Sequence, residues 1–200
     1  MKPPSAASVF VRRSAGVIPA ACRTTSLDLL SAVARDLESQ GIPYAVVGGI
    51  ALAAHGVARA TLDVDVLIVS AQAPGSEMWA NVRNASAHAD VRRGDLYDPF
   101  RAVIRITKPG SAPVDVLVGR ATWQRDVVAR AKRTSLFGVE VPVVGAADLI
   151  LLKLFAGGPQ DLWDVQQLLA TPSRDALVAE VESRVDELPT VCRAQWRKVK

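Results

Sequence analysis

Cysteine is scarce in this 200-residue sequence, and long apolar runs are missing. The two cysteines, Cys22 and Cys192, lie near opposite ends of the chain, a pattern that forms neither a disulfide framework nor a closely spaced zinc site. No apolar run approaches the roughly 20 residues that cross a bilayer. Residues 1–25 also lack the apolar centre of about 7–15 residues that a secretion signal needs. We therefore predict a cytoplasmic protein without a membrane partner.

Two common nucleotide-binding motifs are also missing from the sequence. The glycine-containing segment at residues 48–56 reads GGIALAAHG, which does not match the G-x-G-x-x-G fingerprint of dinucleotide-binding folds. The chain has no G-x-x-x-x-G-K-[ST] loop either. These absences exclude a Rossmann oxidoreductase and a P-loop NTPase.

The net charge of +4 is concentrated at the two ends of the chain. Residues 1–27 contain four basic and no acidic residues, and residues 193–200 contain four further basic residues, which leaves a net charge of −4 for the segment between them. Basic ends of this kind are typical of solvated tails, and the alternative is contact with RNA or another polyanion. We predict a disordered basic leader over 1–25 and a basic tail over 191–200.

Helical and strand patterns alternate along the segment between these ends. The patterns predict strands at 44–47, 61–69 and 139–143, a hairpin over 100–118, and helices at 75–85, 122–133, 146–156, 160–170 and 174–187. This order predicts an α/β (α+β) fold in which a small mixed β-sheet is flanked by helices. The core would comprise residues 26–143, and a helical C-terminal part, residues 144–190, would pack on it.

Two aspartates interrupt the apolar strand predicted at 61–69, which contains the sequence DVDVLIV. Side chains alternate between the faces of a strand, so Asp63 and Asp65 point the same way, roughly 7 Å apart along the strand. An edge strand with its polar face in water would explain them. The alternative is a cation site, because two neighbouring carboxylates repel each other unless a cation lies between them. Mg²⁺ prefers such oxygen ligands.

Two further features favour the cation site. Gly48 and Gly49 follow a short strand and precede a helix, a position where backbone N–H groups can cradle a phosphate. Asp115 lies between valines in a third predicted strand, PVDVLVG. If that strand neighbours the Asp63–Asp65 strand, three carboxylates converge at one end of the sheet. Three carboxylates that face a phosphate turn are suited to metal-assisted phosphoryl or nucleotidyl transfer.

The string GGIALAAHGVARATLDVDVLIV, with the later Asp115, resembles the signature of the nucleotidyltransferase superfamily. It is similar to minimal, AbiEii-type nucleotidyltransferases, many of which are toxins of toxin–antitoxin pairs. The later stretches AADLILLKLFA and DLWDVQQLL resemble the second half of the same family. The resemblance covers roughly residues 26–170 and implies a nucleotidyltransferase-like fold.

The resemblance also implies roles for particular residues. Asp63 and Asp65 would bind one or two Mg²⁺ ions, and Asp115 would ligate the second ion and help to deprotonate the attacking hydroxyl. Gly48 and Gly49 would hold the triphosphate of the nucleotide, and Lys153 would neutralise its charge. Arg59 and Thr61 would lie beside the nucleotide. Asp161 and Asp164 match acidic positions on the family's C-terminal helix.

We therefore predict a Mg²⁺-dependent nucleotidyltransferase that moves a nucleoside monophosphate from an NTP, such as ATP, to a hydroxyl acceptor. The acceptor alternatives are a tRNA end, another protein and a small molecule such as an aminoglycoside-like antibiotic. The toxin-like resemblance also implies a cognate antitoxin as partner. The non-enzymatic alternative is a catalytically degenerate fold that acts as a binding or antitoxin-like module.

Overall fold

The computed structural model describes residues 20–59, 61, 63–70, 78–95, 98–136 and 138–200. The strands in these ranges are β1 (Tyr44–Val47), β2 (Val64–Val69), β3 (His88–Arg93), β4 (Ala102–Thr107), β5 (Val114–Gly119), β6 (Lys132–Leu136) and β7 (Val139–Val143). They form one mixed sheet in the order β3-β4-β5-β2-β1-β7-β6. Together with the helices that flank it, this sheet confirms the predicted fold class.

The described helices lie before, between and after the strands. Their bounds are α1 (Ala20–Ser39), α2 (Gly48–Ala54), α3 (Ala80–Asn84), α4 (Thr122–Ala129), α5 (Ala146–Ala156), α6 (Pro159–Leu169), α7 (Arg174–Glu182) and α8 (Thr190–Val199), with a short 3-10 helix at Val185–Glu187. In the ranges that the structure describes, none of them combines the length and the apolar character that crossing a membrane requires.

Strand β2 lies in the interior of the sheet, which excludes the edge-strand explanation of its two aspartates. It pairs antiparallel with β1 and parallel with β5. Val66 and Ile68 point to the face opposite Asp65 and are completely buried in the core. One side of β2 is therefore apolar and packed, while its opposite side carries Asp65 at the end of the strand.

The C-terminal helices pack around α5. Its sequence, AADLILLKLFA, is apolar on almost every side, and its residues from Ala147 to Leu154 are buried. A helix without a polar face requires partners all round, and α5 contacts α2, α6, α7 and α8. Because α2 follows β1 directly, these contacts join the helical part to the sheet.

Two edge strands were missed by the periodicity, and two predicted helices differ from the structure. The helix predicted at 122–133 ends at Ala129, and the chain continues as β6. The helix predicted at 75–85 is helical only over Ala80–Asn84 among its described residues, and β3 follows it. The missed strands read KRTSL and HADVRR. Both are mostly solvent-exposed, so they lack the apolar alternation that marks a half-buried strand.

The two ends of the described chain are helical. Helix α1 begins at Ala20 and crosses the predicted boundary at residue 26, while residues 1–19 of the predicted leader lie outside the described residues. The segment predicted as a basic tail, residues 191–200, lies almost entirely in α8. Cys192 and Trp196 lie on one face at i and i+4 and are buried, whereas the basic residues occupy other faces. The division of the core at residue 143 stays a prediction.

Candidate metal centre

The structure brings together the three aspartates of the predicted site. Asp65 and Asp115 are direct neighbours in the parallel pairing of β2 with β5, and Asp63 lies immediately before β2. One carboxylate oxygen from each residue lies within 4.8 Å of the other two. All three side chains are buried. The convergence proposed from the alternation of Asp63 and Asp65 and from the strand context of Asp115 is therefore present.

The donor chemistry of this cluster fits a divalent cation. Three carboxylates at such short separation repel one another strongly unless positive charge lies near them. Carboxylate oxygens are the ligands that hard cations such as Mg²⁺ prefer, and Mg²⁺ is usually held by one or two carboxylates together with waters and phosphates. Asp63, Asp65 and Asp115 could hold such an ion.

Thr61 holds Asp63 in place. Its hydroxyl lies 2.9 Å from Oδ1 of Asp63 and 3.1 Å from the backbone oxygen of the same residue. Thr61 is itself buried. Hydrogen bonds of this kind to a ligand carboxylate orient it toward a metal. Thr61, a residue predicted for the site, therefore contacts the carboxylate cluster through Asp63.

Gly48 and Gly49 place the backbone against the same cluster. Gly48 has a φ of +67°, and a Cβ atom there would lie 1.9 Å from Oδ2 of Asp65. A Cβ on Gly49 would lie 2.8 Å from Cβ of Thr61 and 3.1 Å from Nη2 of Arg59. The close approach explains why this turn contains two residues without side chains.

Lys153 contacts carboxylates of the helical part. Its Nζ lies 2.8 Å from Oδ1 of Asp161 and 2.7 Å from Oδ2 of Asp164. The fully buried Asp164 also lies 3.5 Å from Nε of Arg59. These ion pairs link α5 and α6 to the loop that precedes β2. The roles predicted for Lys153, Arg59, Asp161 and Asp164 toward a nucleotide stay predictions.

Arg105 was not identified as a site residue from the sequence, although it lies beside the carboxylate cluster. It is the direct cross-strand neighbour of Asp115 in the pairing of β4 with β5. Its Nη1 lies 3.0 Å from Oδ2 and 3.4 Å from Oδ1 of Asp115. The alternation FRAVIRIT places Arg105 on the polar side of its strand. Only the strand register shows which residue it faces.

No protein-family model matches the sequence, and no curated protein does so either. Several solved structures are similar to the chain. The antibiotic-resistance factor ANT(2'')-Ia has 15% identity and a TM-score of 0.49, over 82% of this chain and 92% of its own. An antigenic nucleotidyltransferase-like protein from Paracoccidioides brasiliensis has 18% identity and a TM-score of 0.45, over 90% and 95%. The lincosamide antibiotic adenylyltransferase LnuA has 12% identity and a TM-score of 0.46, over 71% and 95%.

Proposed function

We propose that this chain is a divalent-metal-dependent nucleotidyltransferase that moves a nucleoside monophosphate from an NTP to a hydroxyl acceptor. One observation carries the proposal: three buried carboxylates, two on the adjacent parallel strands β2 and β5 and one just before β2, converge beside the backbone of Gly48. Buried like charges are costly in a fold, so their convergence is best explained by a cation site. The absence of a side chain at Gly48 lets the backbone approach the Asp65 carboxylate, which a Cβ atom at this position would displace.

Each site residue has a role in this reaction that follows from its position. Asp63 and Asp65 would hold Mg²⁺, which when bound supplies positive charge to the phosphate oxygens and the attacking hydroxyl. Asp115 would also ligate an ion and accept the proton of that hydroxyl, because it lies directly beside Asp65. Gly48 and Gly49 would contact the triphosphate through their backbone.

The residues behind the cluster would maintain its geometry. Thr61 orients Asp63 through its hydroxyl. Arg59 lies next to Gly49 and would contact a phosphate, with Asp164 holding its guanidinium from the other side. Lys153 pairs with Asp164. Its positive charge would therefore reach the triphosphate indirectly, through Asp164 and Arg59.

The acceptor alternatives are a tRNA end, a protein and a small hydroxylated molecule. The net charge of −4 on residues 28–192 is compatible with a cationic small molecule such as an aminoglycoside. The four basic residues at 193–200 are compatible with RNA. A degenerate binding or antitoxin-like module is less consistent with the site, because all three carboxylates are present and converge.

The test is a transfer assay with purified protein, Mg²⁺ and each α-³²P-labelled NTP in turn. Separate reactions contain total tRNA, a panel of aminoglycosides and lincosamides, or no added acceptor, so that self-modification is also detected. We expect label transfer to one acceptor class and release of pyrophosphate. No transfer to any of them would favour the non-enzymatic module.

Variants connect any activity to the cluster. Asp63→Asn combined with Asp65→Asn should lower transfer at least a hundredfold, because it removes two of the carboxylates that would hold the cation. Asp126→Asn, on the exposed face of α4, is the matched control and should retain activity. Activity that survives in the double variant would refute the metal assignment.

A further inference from the structure

A row of charged residues crosses four adjacent strands at the level of the carboxylate cluster. Asp90 on β3 pairs with Arg105 on β4, Arg105 pairs with Asp115 on β5, and Asp115 pairs with Asp65 on β2. Directly opposed residues on neighbouring strands project from the same face with Cβ atoms about 4.5–5.5 Å apart. The row therefore carries the charges minus, plus, minus and minus along one side of the sheet.

Arg105 has a carboxylate on either side of it. Its guanidinium contacts Asp115 at 3.0 Å, and the side chain is 52% exposed. A long, half-exposed arginine side chain can change rotamer within the solvent-facing part of the site. Asp90, its other cross-strand neighbour, is exposed on the edge strand.

The guanidinium and a divalent cation require the same carboxylate. The cluster of Asp63, Asp65 and Asp115 has a formal charge of −3, and Arg105 reduces it to −2. A cation bound by Asp115 would lie within a few ångströms of the guanidinium, and two positive charges so close repel each other. Metal binding to Asp115 therefore competes with the contact that Arg105 makes.

We infer that Arg105 is the counter-ion of Asp115 in the metal-free protein, that it competes with a divalent cation for this carboxylate, and that Asp90 receives it when the cation binds. Arg105 is a positioning residue in this scheme, since it acts through Asp115. The inference rests on the proposed function to the extent that the carboxylate cluster binds a metal. The inference adds Arg105 as a residue that sets the affinity of the cluster for the metal in the absence of nucleotide.

The experiment measures Mn²⁺ binding by electron paramagnetic resonance of free Mn²⁺, with chelator-treated protein and no nucleotide. Arg105→Gln should bind Mn²⁺ about three- to tenfold more tightly than the natural chain, a range suited to a half-exposed ion pair. Asp90→Asn should bind it about two- to threefold more weakly, because Arg105 then has no second carboxylate. Arg105→Lys should remain close to the natural affinity, since it retains the positive charge.

Arg101→Gln is the matched control, because it removes the same charge roughly 13 Å away along the same chain segment. Its Mn²⁺ affinity should stay within twofold of the natural chain, and thermal unfolding checks that every variant is folded. Equal affinities for Arg105→Gln and Arg101→Gln would overturn the inference. If the natural chain binds Mn²⁺ and transfers nucleotide in that case, the proposed function still holds. Folded protein that binds no Mn²⁺ with either glutamine variant would overturn both.

Discussion

Gly48 offers the sharpest test of the site, because a single methyl group there would disturb one carboxylate. In Gly48→Ala the new Cβ would lie 1.9 Å from Oδ2 of Asp65 and 2.8 Å from its Cγ. Real Cβ contacts essentially never fall below 3.0 Å, so Oδ2 must move by more than an ångström. Asp65 is only 2% exposed and has little room to move without losing its alignment with Asp115.

Gly56→Ala is a closely matched control at the other end of α2. Gly56 also has a positive φ, +82°, but a Cβ there would meet nothing within 4 Å. Both variants carry the left-handed backbone penalty of about 1–2 kcal/mol. Only Gly48→Ala adds the displacement of a buried carboxylate, which costs about 1–3 kcal/mol more. We therefore expect a loss in unfolding free energy of about 2–5 kcal/mol for Gly48→Ala and about 1–2 kcal/mol for Gly56→Ala.

Urea denaturation measures the free energies of unfolding, and Mn²⁺ titration measures the state of the site. For a chain of this size each kcal/mol also lowers the melting temperature by about 2–4 °C. Gly48→Ala should weaken Mn²⁺ binding at least tenfold, whereas Gly56→Ala should leave it unchanged. If the two variants have the same stability and the same Mn²⁺ affinity, Asp65 does not lie where the structure places it.

Three further predictions concern the surroundings of the cluster and the core. Lys153→Met should lower the free energy of unfolding by about 3 kcal/mol in urea denaturation, because it removes a close cation from the buried Asp164. Thr61→Val should weaken Mn²⁺ binding about tenfold, because the hydroxyl no longer orients Asp63. Burial and a neighbouring carboxylate raise the pKa of Tyr44 to about 12. Because this value exceeds the unfolded one, about 10, the stabilisation by neutral Tyr44 should be lost between pH 10 and 12, by up to about 2.7 kcal/mol.

Each of these predictions has a control. Lys132→Met, on an exposed edge strand, should change stability by less than about 0.5 kcal/mol. A Thr61→Ser variant keeps the hydroxyl, so its Mn²⁺ affinity should stay close to that of the natural chain. A clearly weaker affinity in this variant would contradict the proposal that the hydroxyl orients Asp63. Tyr44→Phe should show a flatter loss of stability between pH 10 and 12, and an unchanged slope would contradict the assignment to this group.

The ion pairs behind the site give the C-terminal helices a part in its geometry. Asp164 on α6 lies near Arg59, and Lys153 on α5 pairs with Asp164. Arg59 in turn lies beside Gly49 at the start of α2. The core and the helical part therefore share one polar network, which extends from the Gly48–Gly49 turn to α5 and α6.

Local patterns predicted most of the central strands and C-terminal helices. The alternation in VDVLIV depends only on the period of two of an extended chain, so it correctly placed Asp65 on the side opposite the buried Val66 and Ile68. Asp63 lies just before this strand, and its carboxylate still lies close to that of Asp65. The apolar run of α5 was equally clear, because its helix is buried all round. The exposed strands β3 and β6 carry no such signal, since neither side of them needs to be apolar.

The sequence by itself determined which residue types were available for a metal centre: two aspartates at strand spacing, a pair of glycines, and a third aspartate in another valine-rich strand. Only the tertiary structure decided that β5 pairs parallel with β2, so that Asp115 lies beside Asp65, and that β4 brings Arg105 to Asp115. The physical reason is that side-chain alternation is a local property of the backbone. Strand order and register depend on how distant segments bury their apolar faces together.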